Sequence, residues 1–345
     1  MKKVFVGLSG GVDSSLSAAL LKEQGYDVTG VFIKVWQPDF IECTWREDRR
    51  DAMRIASELD IPFITLDLEK EYKEGVIDYM MDEYKAGRTP NPDVMCNREV
   101  KFGAFWKWAK REGADYIATG HYAQTNNVEL LISKDINKDQ TYFLWTLTKS
   151  DLEHALFPIG HLEKSDVRKE AEKRGLYTHA KKDSQGLCFI GTINVKDFLK
   201  MHLGENKGDV INEEGDVIGE HEGAIFFTIG ERHGFTITKK KGDIDAYYII
   251  KKDIDNNTIT VSTIPPKTKE GTEIILDTIS FVSENIKEGE YYARARYRAP
   301  ATKVNLTKKG NIWSVSPLEE GISAVSGQSL VLYKNNKCIG GGIIA

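Results

Sequence analysis

Apolar residues in the first two hundred positions fall into two alternating textures. Short continuous runs predict buried strands over 3–7, 28–35, 63–68, 115–119 and 129–133. Between them, apolar residues recur at helical spacing. Leu16 to Glu23 reads as a helix closed by Gly25; Ala52, Ile55, Ala56 and Leu59 share one side of 48–59; Tyr72, Val76, Tyr79 and Met80 do the same in 69–85. Ser150 and Glu153 form a capping-box pattern before a helical face of Leu152, Ala155 and Leu156, and Ser165 to Arg174 reads as a charged helix closed by Gly175. Alternating strands and helices predict an α/β fold with a doubly wound parallel sheet, whose ligand lies at the carboxyl ends of the strands. Beyond about residue 203 the helical period gives way to short alternating stretches parted by turn signals such as Glu214-Gly215-Asp216 and Asp255-Asn256-Asn257. Pro265 to Gly271 reads as a linker between two small all-β units. The expected division is an α/β domain over 1–202, a small central β domain over 203–268 and a C-terminal β-barrel over 269–345.

Composition narrows the class. With 41% hydrophobic and 29% charged residues the chain is ordinary for a water-soluble protein. No apolar run approaches the roughly 18 residues of a membrane span, and Met1-Lys2-Lys3 leads straight into a strand, so a cytoplasmic protein with no membrane partner is expected. Four cysteines, Cys43, Cys96, Cys188 and Cys338, lack CxxC spacing, which argues against a structural zinc site and a disulfide scaffold. The net charge of −5 argues against an indiscriminate nucleic-acid binder, but leaves room for a local basic face.

The first candidate chemistry lies between the first strand and the first helix, in Gly7-Leu8-Ser9-Gly10-Gly11-Val12-Asp13-Ser14-Ser15. Strand, glycine turn and helix start bring backbone N–H groups and a helix N-terminus to face an anion. Gly10 and Gly11 allow close approach, and the serines add hydroxyl donors. The stretch has no lysine, so it is not the GxxxxGK[ST] loop. Asp13 is open between orienting the loop and holding a metal. Ile33, at the end of the second strand, fits either an adenine contact or plain sheet core. Gly120, ending the 115–119 strand, would let a nucleotide approach closely.

Two loops carry the other reactive groups. In the first, Gly87 to Asn97, Pro90 and Pro92 exclude a regular helix and stiffen the loop, and Asn97 would cap the helix that follows. Cys96 then lies just before a helix N-terminus, where the dipole favours a thiolate, with Asp93 near enough to exchange a proton. Taken alone, Cys96 also fits a small buried residue. The second loop, Lys181 to Gly191, carries Cys188; it is basic at its start and bounded by glycines. In the β half, alternation over Tyr291 to Arg298 would place Arg294, Arg296 and Arg298 on one strand face, suited to phosphates and stacked bases or to simple solvation.

SGGVDSS resembles the phosphate loop of N-type ATP pyrophosphatases. Taken with EYKAGRTPNPDVMCN, ATGHY, KDQTYFLW, LFPIG, DSQGLCFIG and the ending GQSLVLYKNNKCIGGGII, it resembles the tRNA-specific 2-thiouridylases over nearly the whole chain. That resemblance implies ATP with its phosphates on Gly7 to Ser14 and adenine at Ile33 and Gly120. Ile33 stands where relatives carry methionine, a swap of similar volume. Magnesium would accompany the phosphates, with no protein ligand assigned. The wobble uridine would be adenylated on its 2-oxygen. Cys188 would carry a persulfide, Cys96 would act as nucleophile, with a transient disulfide to Cys188, and Asp93 as general acid/base. Asn91, Pro92 and Asp93 would meet the target base; His121, Lys138, Asp139, Gln140, Arg296, Tyr297 and Gln328 would contact tRNA. The implied substrates are the tRNAs for Lys, Glu and Gln, with a cysteine desulfurase or sulfur-relay protein as donor. Three alternatives stay open: amidation of an adenylated substrate by the same loop, a tRNA-binding or relay protein without turnover, and an iron–sulfur cluster on Cys96, Cys188 and Asp93.

Overall fold

The computed structural model describes residues 1–38, 45–126, 128–182, 194–239, 246–283 and 285–345. Cys43 and Cys188, and with them the readings placed on DSQGLCFIG, lie outside the described residues.

The apolar runs of the first half form one parallel sheet. Strands β1 (Lys3–Gly7), β2 (Asp27–Lys34), β3 (Phe63–Asp67), β4 (Tyr116–Ala118) and β7 (Ala155–Leu156) stand in the order β3-β2-β1-β4-β7, all parallel. Val4, Phe5 and Val6 are buried because helices cover both faces, which is why the run is continuous rather than alternating. Strand order reverses between β1 and β4, so the loops after these two strands part to either side of one crevice at their carboxyl ends. Helices α1 (Val12–Glu23) and α2 (Trp45–Glu58) follow β1 and β2.

The middle unit is a five-stranded sheet of β8 (Gly208–Ile211), β9 (Val217–His221), β10 (Thr236–Ile237), β11 (Tyr248–Asp253) and β12 (Thr258–Ser262), in the order β10-β9-β8-β12-β11. The C-terminal unit closes on itself. Strands β13 (Ile274–Phe281), β14 (Gly289–Arg294), β15 (Thr302–Lys309), β16 (Ile312–Pro317), β17 (Ser329–Lys334) and β18 (Lys337–Ile344) run antiparallel, and β13 pairs with both β16 and β18 to complete a six-stranded barrel. Closure removes the unpaired edges that a flat sheet would expose.

The barrel is not a separate bead. A hairpin of the first unit, β5 (Ala123–Thr125) and β6 (Leu130–Ile132), pairs with β18 through Leu130–Cys338 and Leu131–Lys337 and extends the barrel sheet to eight strands. Behind this seam Tyr142 and Trp145 are fully buried. The Tyr142 hydroxyl donates to the carbonyls of Ala295 and Ser329 at 3.2 and 3.0 Å, and Trp145 Nε1 to Ser329 Oγ at 3.0 Å. A large aromatic whose polar atom is also satisfied holds an interface by area and direction together.

Three local expectations are corrected. The capping box is Thr148 with Asp151, not Ser150 with Glu153, and Ala155–Leu156 is the edge strand of the parallel sheet rather than helix. The three-arginine face does not form. Strand β14 ends at Arg294, the chain turns, and Arg298 takes a left-handed φ of 61°. Arg294 points inward to Asp139 at 3.6 Å, while Arg296 is exposed. Among the described residues no helix is long and apolar enough to cross a membrane.

Candidate active site

The crevice at the switch point is built from the residues after β1. Leu8 N–H donates to Val31 O at 2.8 Å, tying the loop to the neighbouring strand. Gly10 takes φ 74°, and a β-carbon there would lie 2.6 Å from Asp48 O, so both conformation and space require glycine. The serines shape the turn. Ser14 Oγ accepts from Ser9 N–H at 3.2 Å and donates to Gly11 O at 3.1 Å; Ser15 Oγ donates to Gly11 O at 2.8 Å. Val12 and Asp13 open α1, so their N–H groups have no carbonyl one turn back and face outward for an anion.

Asp13 is spoken for. Lys164 Nζ lies 2.8 Å from each of its carboxylate oxygens, and Tyr122 OH donates at 2.8 Å. Among the described residues no cluster of three or more His, Cys, Asp or Glu could hold a metal ion. Gly120 is needed for a different neighbour from the one expected: a β-carbon there would sit 2.7 Å from Ser14 N and 2.8 Å from Asp13 C. It lets β4 approach the start of α1. Ile33 is half-buried at the carboxyl end of β2, packed against the core.

The first cysteine segment differs from the expectation in its helix start. Asn91, not Asn97, is the cap: its side chain accepts from Val94 N–H at 3.3 Å, and Pro92 takes the first helical position. Proline is well suited there because its missing N–H would be unpaired in any case. Cys96 is therefore one turn inside a helix, 7% exposed, and continuous with a π-helical stretch over Cys96–Ala104. Asn97 instead donates to Phe143 O at 3.1 Å. Burial raises the pKa of the Asp93 carboxyl above the ordinary aspartate range, with the Lys101 ammonium opposing. That favours a carboxyl able to hold a proton closer to neutral pH.

Residues far apart in the chain meet around this segment. Gln328 Nε2 donates to Thr89 O and Thr89 N–H to Ser326 O, both at 2.9 Å. Gly327, φ 88°, leaves no room for a side chain against Thr89. Phe143 packs against Tyr297 with ring centres 4.5 Å apart and planes tilted by 46°, and Arg296 Nη2 donates to Ile229 O at 2.8 Å, bringing in the middle unit. Thr89 Oγ1 also reaches Thr228 Oγ1 at 3.3 Å. The middle and C-terminal units thus meet the first at Thr89, two residues before the Asn91 cap of the cysteine helix. Gln140 Oε1 accepts from Tyr122 N–H at 2.9 Å, which links this border to the crevice at the switch point.

Two of the expected RNA contacts lie inside the protein. His121 is 8% exposed, with Nδ1 2.8 Å from Thr119 Oγ1 and the rings of Phe102 and Phe157 beside it. Burial, with the Lys101 charge, holds its imidazole well below the ordinary histidine range, so the ring is neutral at pH 7. Asp139 is 3% exposed; it accepts from Ser133 N–H and Thr141 Oγ1 and faces Arg294. In this conformation neither side chain offers a surface to RNA, because burying them satisfies their polar atoms within the protein. They shape the loops that carry Lys138, Gln140 and the 119–122 turn.

Sequence reading also missed two cations. Lys164, on the helix Lys164–Lys173, secures Asp13. Lys181 reaches back 171 residues to Gly10 O at 3.1 Å. The only sequence signal was the basic start of the second cysteine loop; the distance spanned hid its partner.

Comparison with known proteins agrees with this architecture. Residues 2–192 match a family model described as a tRNA methyl transferase HUP domain, 196–263 one described as a tRNA methyl transferase PRC-barrel domain, and 271–344 an aminomethyltransferase beta-barrel domain. Curated relatives include the tRNA-specific 2-thiouridylase MnmA of Streptococcus thermophilus, 46% identical over 99% of this chain and 95% of that protein. The enzyme of the same name from Listeria monocytogenes is 44% identical over 99% of this chain and 94% of that protein. Among solved structures, the U34-tRNA thiolase NcsA from Methanococcus maripaludis, with its [4Fe-4S] cluster, aligns at TM-score 0.37 and 19% identity, covering 58% of this chain and 66% of that one, a likeness too slight to carry function. By identity sustained along its whole length, the chain belongs to the family of tRNA-specific 2-thiouridylases.

Proposed function

We propose that the chain activates the 2-oxygen of a tRNA wobble uridine with ATP and replaces it with sulfur carried on Cys188. The observation that carries this reading is the convergence just described. A phosphate-type loop opens one side of the crevice, and a buried thiol, Cys96, ends a helix whose lead-in residue, Thr89, is held by the middle and C-terminal units. An amidating enzyme would have no use for two thiols.

Uridine O2 attacks the α-phosphate, pyrophosphate leaves, and C2 now bears AMP as leaving group. Donors at the start of α1 would stabilise the charge developing on the phosphates. Asp93, with its raised pKa, holds or accepts the proton that moves at the base. The terminal sulfur of a Cys188 persulfide then attacks C2 and expels AMP, and the Cys96 thiolate attacks the Cys188 sulfur, breaking the S–S bond. The products are 2-thiouridine and a Cys96–Cys188 disulfide, which an external dithiol must reduce. In the other order, Cys96 attacks the persulfide first and the released hydrosulfide attacks C2; the same disulfide results. Asn91 to Asp93 would meet the flipped base, with Lys138, Gln140, Arg296, Tyr297 and Gln328 around the anticodon stem-loop. Magnesium would arrive with the ATP phosphates. The proposed acceptors are the tRNAs for Lys, Glu and Gln, the donor a cysteine desulfurase or relay protein, and the setting the cytoplasm.

The test is turnover with purified protein, ATP, tRNA, a persulfide donor and a dithiol. AMP and thiolated uridine should appear together, and Cys188→Ser should abolish thiolation while AMP formation with tRNA persists. Amide products that survive Cys188→Ser would instead favour the amidation reading, and absence of both AMP and thiouridine in the wild type would exclude an enzyme of this kind.

A further inference from the structure

The phosphate loop has no lysine of its own, yet a nucleotide triphosphate concentrates negative charge that a few N–H groups balance only in part. The structure supplies a cation from elsewhere. Lys181 Nζ lies 3.1 Å from Gly10 O, 2.6 Å from Asp51 Oδ2 and 3.2 Å from Asp48 Oδ1. The lysine is placed by its backbone: Arg168 Nη1 donates to the carbonyls of His179 and Lys181 at 2.6 and 2.9 Å. Arg168 lies one helical turn from Lys164, which holds Asp13 at the other side of the loop. One helix thus fixes both flanks of the phosphate site. Burial works against the charged ammonium, but hydrogen bonds to Asp51 and Asp48 outweigh it and hold its pKa above the ordinary lysine value.

We propose that Lys181 is the ligand for the β- and γ-phosphates of ATP, held beside the loop by Asp48 and Asp51 and exchanged from those carboxylates to the phosphates when the nucleotide binds. This rests on the ATP reading above and extends it. No bond is made or broken in the exchange; one ammonium changes anionic partners. The carboxylates hold the side chain ready, and they also compete with the ligand. Because AMP has no β- or γ-phosphate, the assignment separates the two nucleotides.

Calorimetry on the full-length protein, using AMP and a non-cleavable ATP analogue with a methylene bridge between the α- and β-phosphorus, tests this. Lys181→Ala should weaken the analogue roughly tenfold or more, the scale of one lost charge-assisted contact, and leave AMP within about twofold. Asp51→Asn should tighten the analogue roughly two- to fivefold by removing a competitor. Equal losses for analogue and AMP would show that Lys181 only shapes the loop and would overturn the assignment. So would full recovery in the triple variant Lys181→Ala, Asp48→Asn, Asp51→Asn, which would reduce Lys181 to a neutraliser of the two acids. Failure of the wild type to bind the analogue at all would instead overturn the ATP reading on which the assignment rests.

Discussion

The nucleotide crevice and the cysteine border were made in different ways. The crevice is largely local: eight consecutive residues after β1 set its turn, its serines and its helix start, while Tyr122, Lys164 and Lys181 brace it from afar. The cysteine border is assembled. Thr89, Phe143, Thr228, Arg296, Tyr297 and Gln328 belong to stretches spread over some 240 positions, and hydrogen bonds and one aromatic pair bring them together. A local site survives if its own few residues are kept. An assembled site depends on the packing of whole units, so it fails at residues that touch no substrate.

Variants can separate the two regions. The largest effect is expected at Asp93. Asp93→Asn removes the proposed proton carrier and should lower the thiolation rate by roughly 10² to 10⁴, with ATP affinity nearly unchanged; single-turnover thiolation and nucleotide binding measured side by side check this. Next come two glycines chosen as mirror images. Gly10→Ala puts a β-carbon 2.6 Å from Asp48 O at φ 74° and should cost ATP affinity about tenfold or more, with tRNA binding kept. Gly327→Ala puts one 2.8 Å from Thr89 N at φ 88° and should do the reverse, weakening tRNA and sparing ATP. If either variant damaged both ligands equally, the two regions would be one cooperative unit. Arg296→Ala should give a smaller loss of tRNA affinity, several-fold, and lower the salt slope by about 1 if the exposed guanidinium meets a phosphate.

The smallest effect concerns stability. The folded-state pKa of Asp93 is raised, so the folded protein favours the protonated form. A folding cost then sets in as pH rises through the ordinary aspartate value and is complete above the raised one. Asp93→Asn should therefore be more stable than the wild type at about pH 7 and lose that advantage near pH 3. Thermal unfolding at both values reads the sign; an advantage that grows toward acid pH would contradict the burial of this carboxyl.

What could be read from the sequence follows the same division. Continuous apolar runs marked the parallel sheet, and SGGVDSS marked its crevice, because both are properties of adjacent residues. The helix start at Asn91 was misread because two prolines suggested an irregular loop, whereas Pro92 at the first helical position favours the helix. Alternation suggested three arginines on one strand, but nothing in the alternation marks where a strand ends, and Arg294 turned inward to Asp139. The pairing of Leu130 with Cys338 across more than 200 residues left no local trace at all.

The central claim is that the 2-oxygen of uridine becomes the leaving group. A tRNA whose wobble uridine carries ¹⁸O at C2 tests it in one turnover, with mass spectrometry of the released AMP and of the nucleoside. The label should leave in the AMP phosphate while the nucleoside gains sulfur at C2. Unlabelled AMP, or a sulfur-bearing nucleoside that keeps its ¹⁸O, would contradict it.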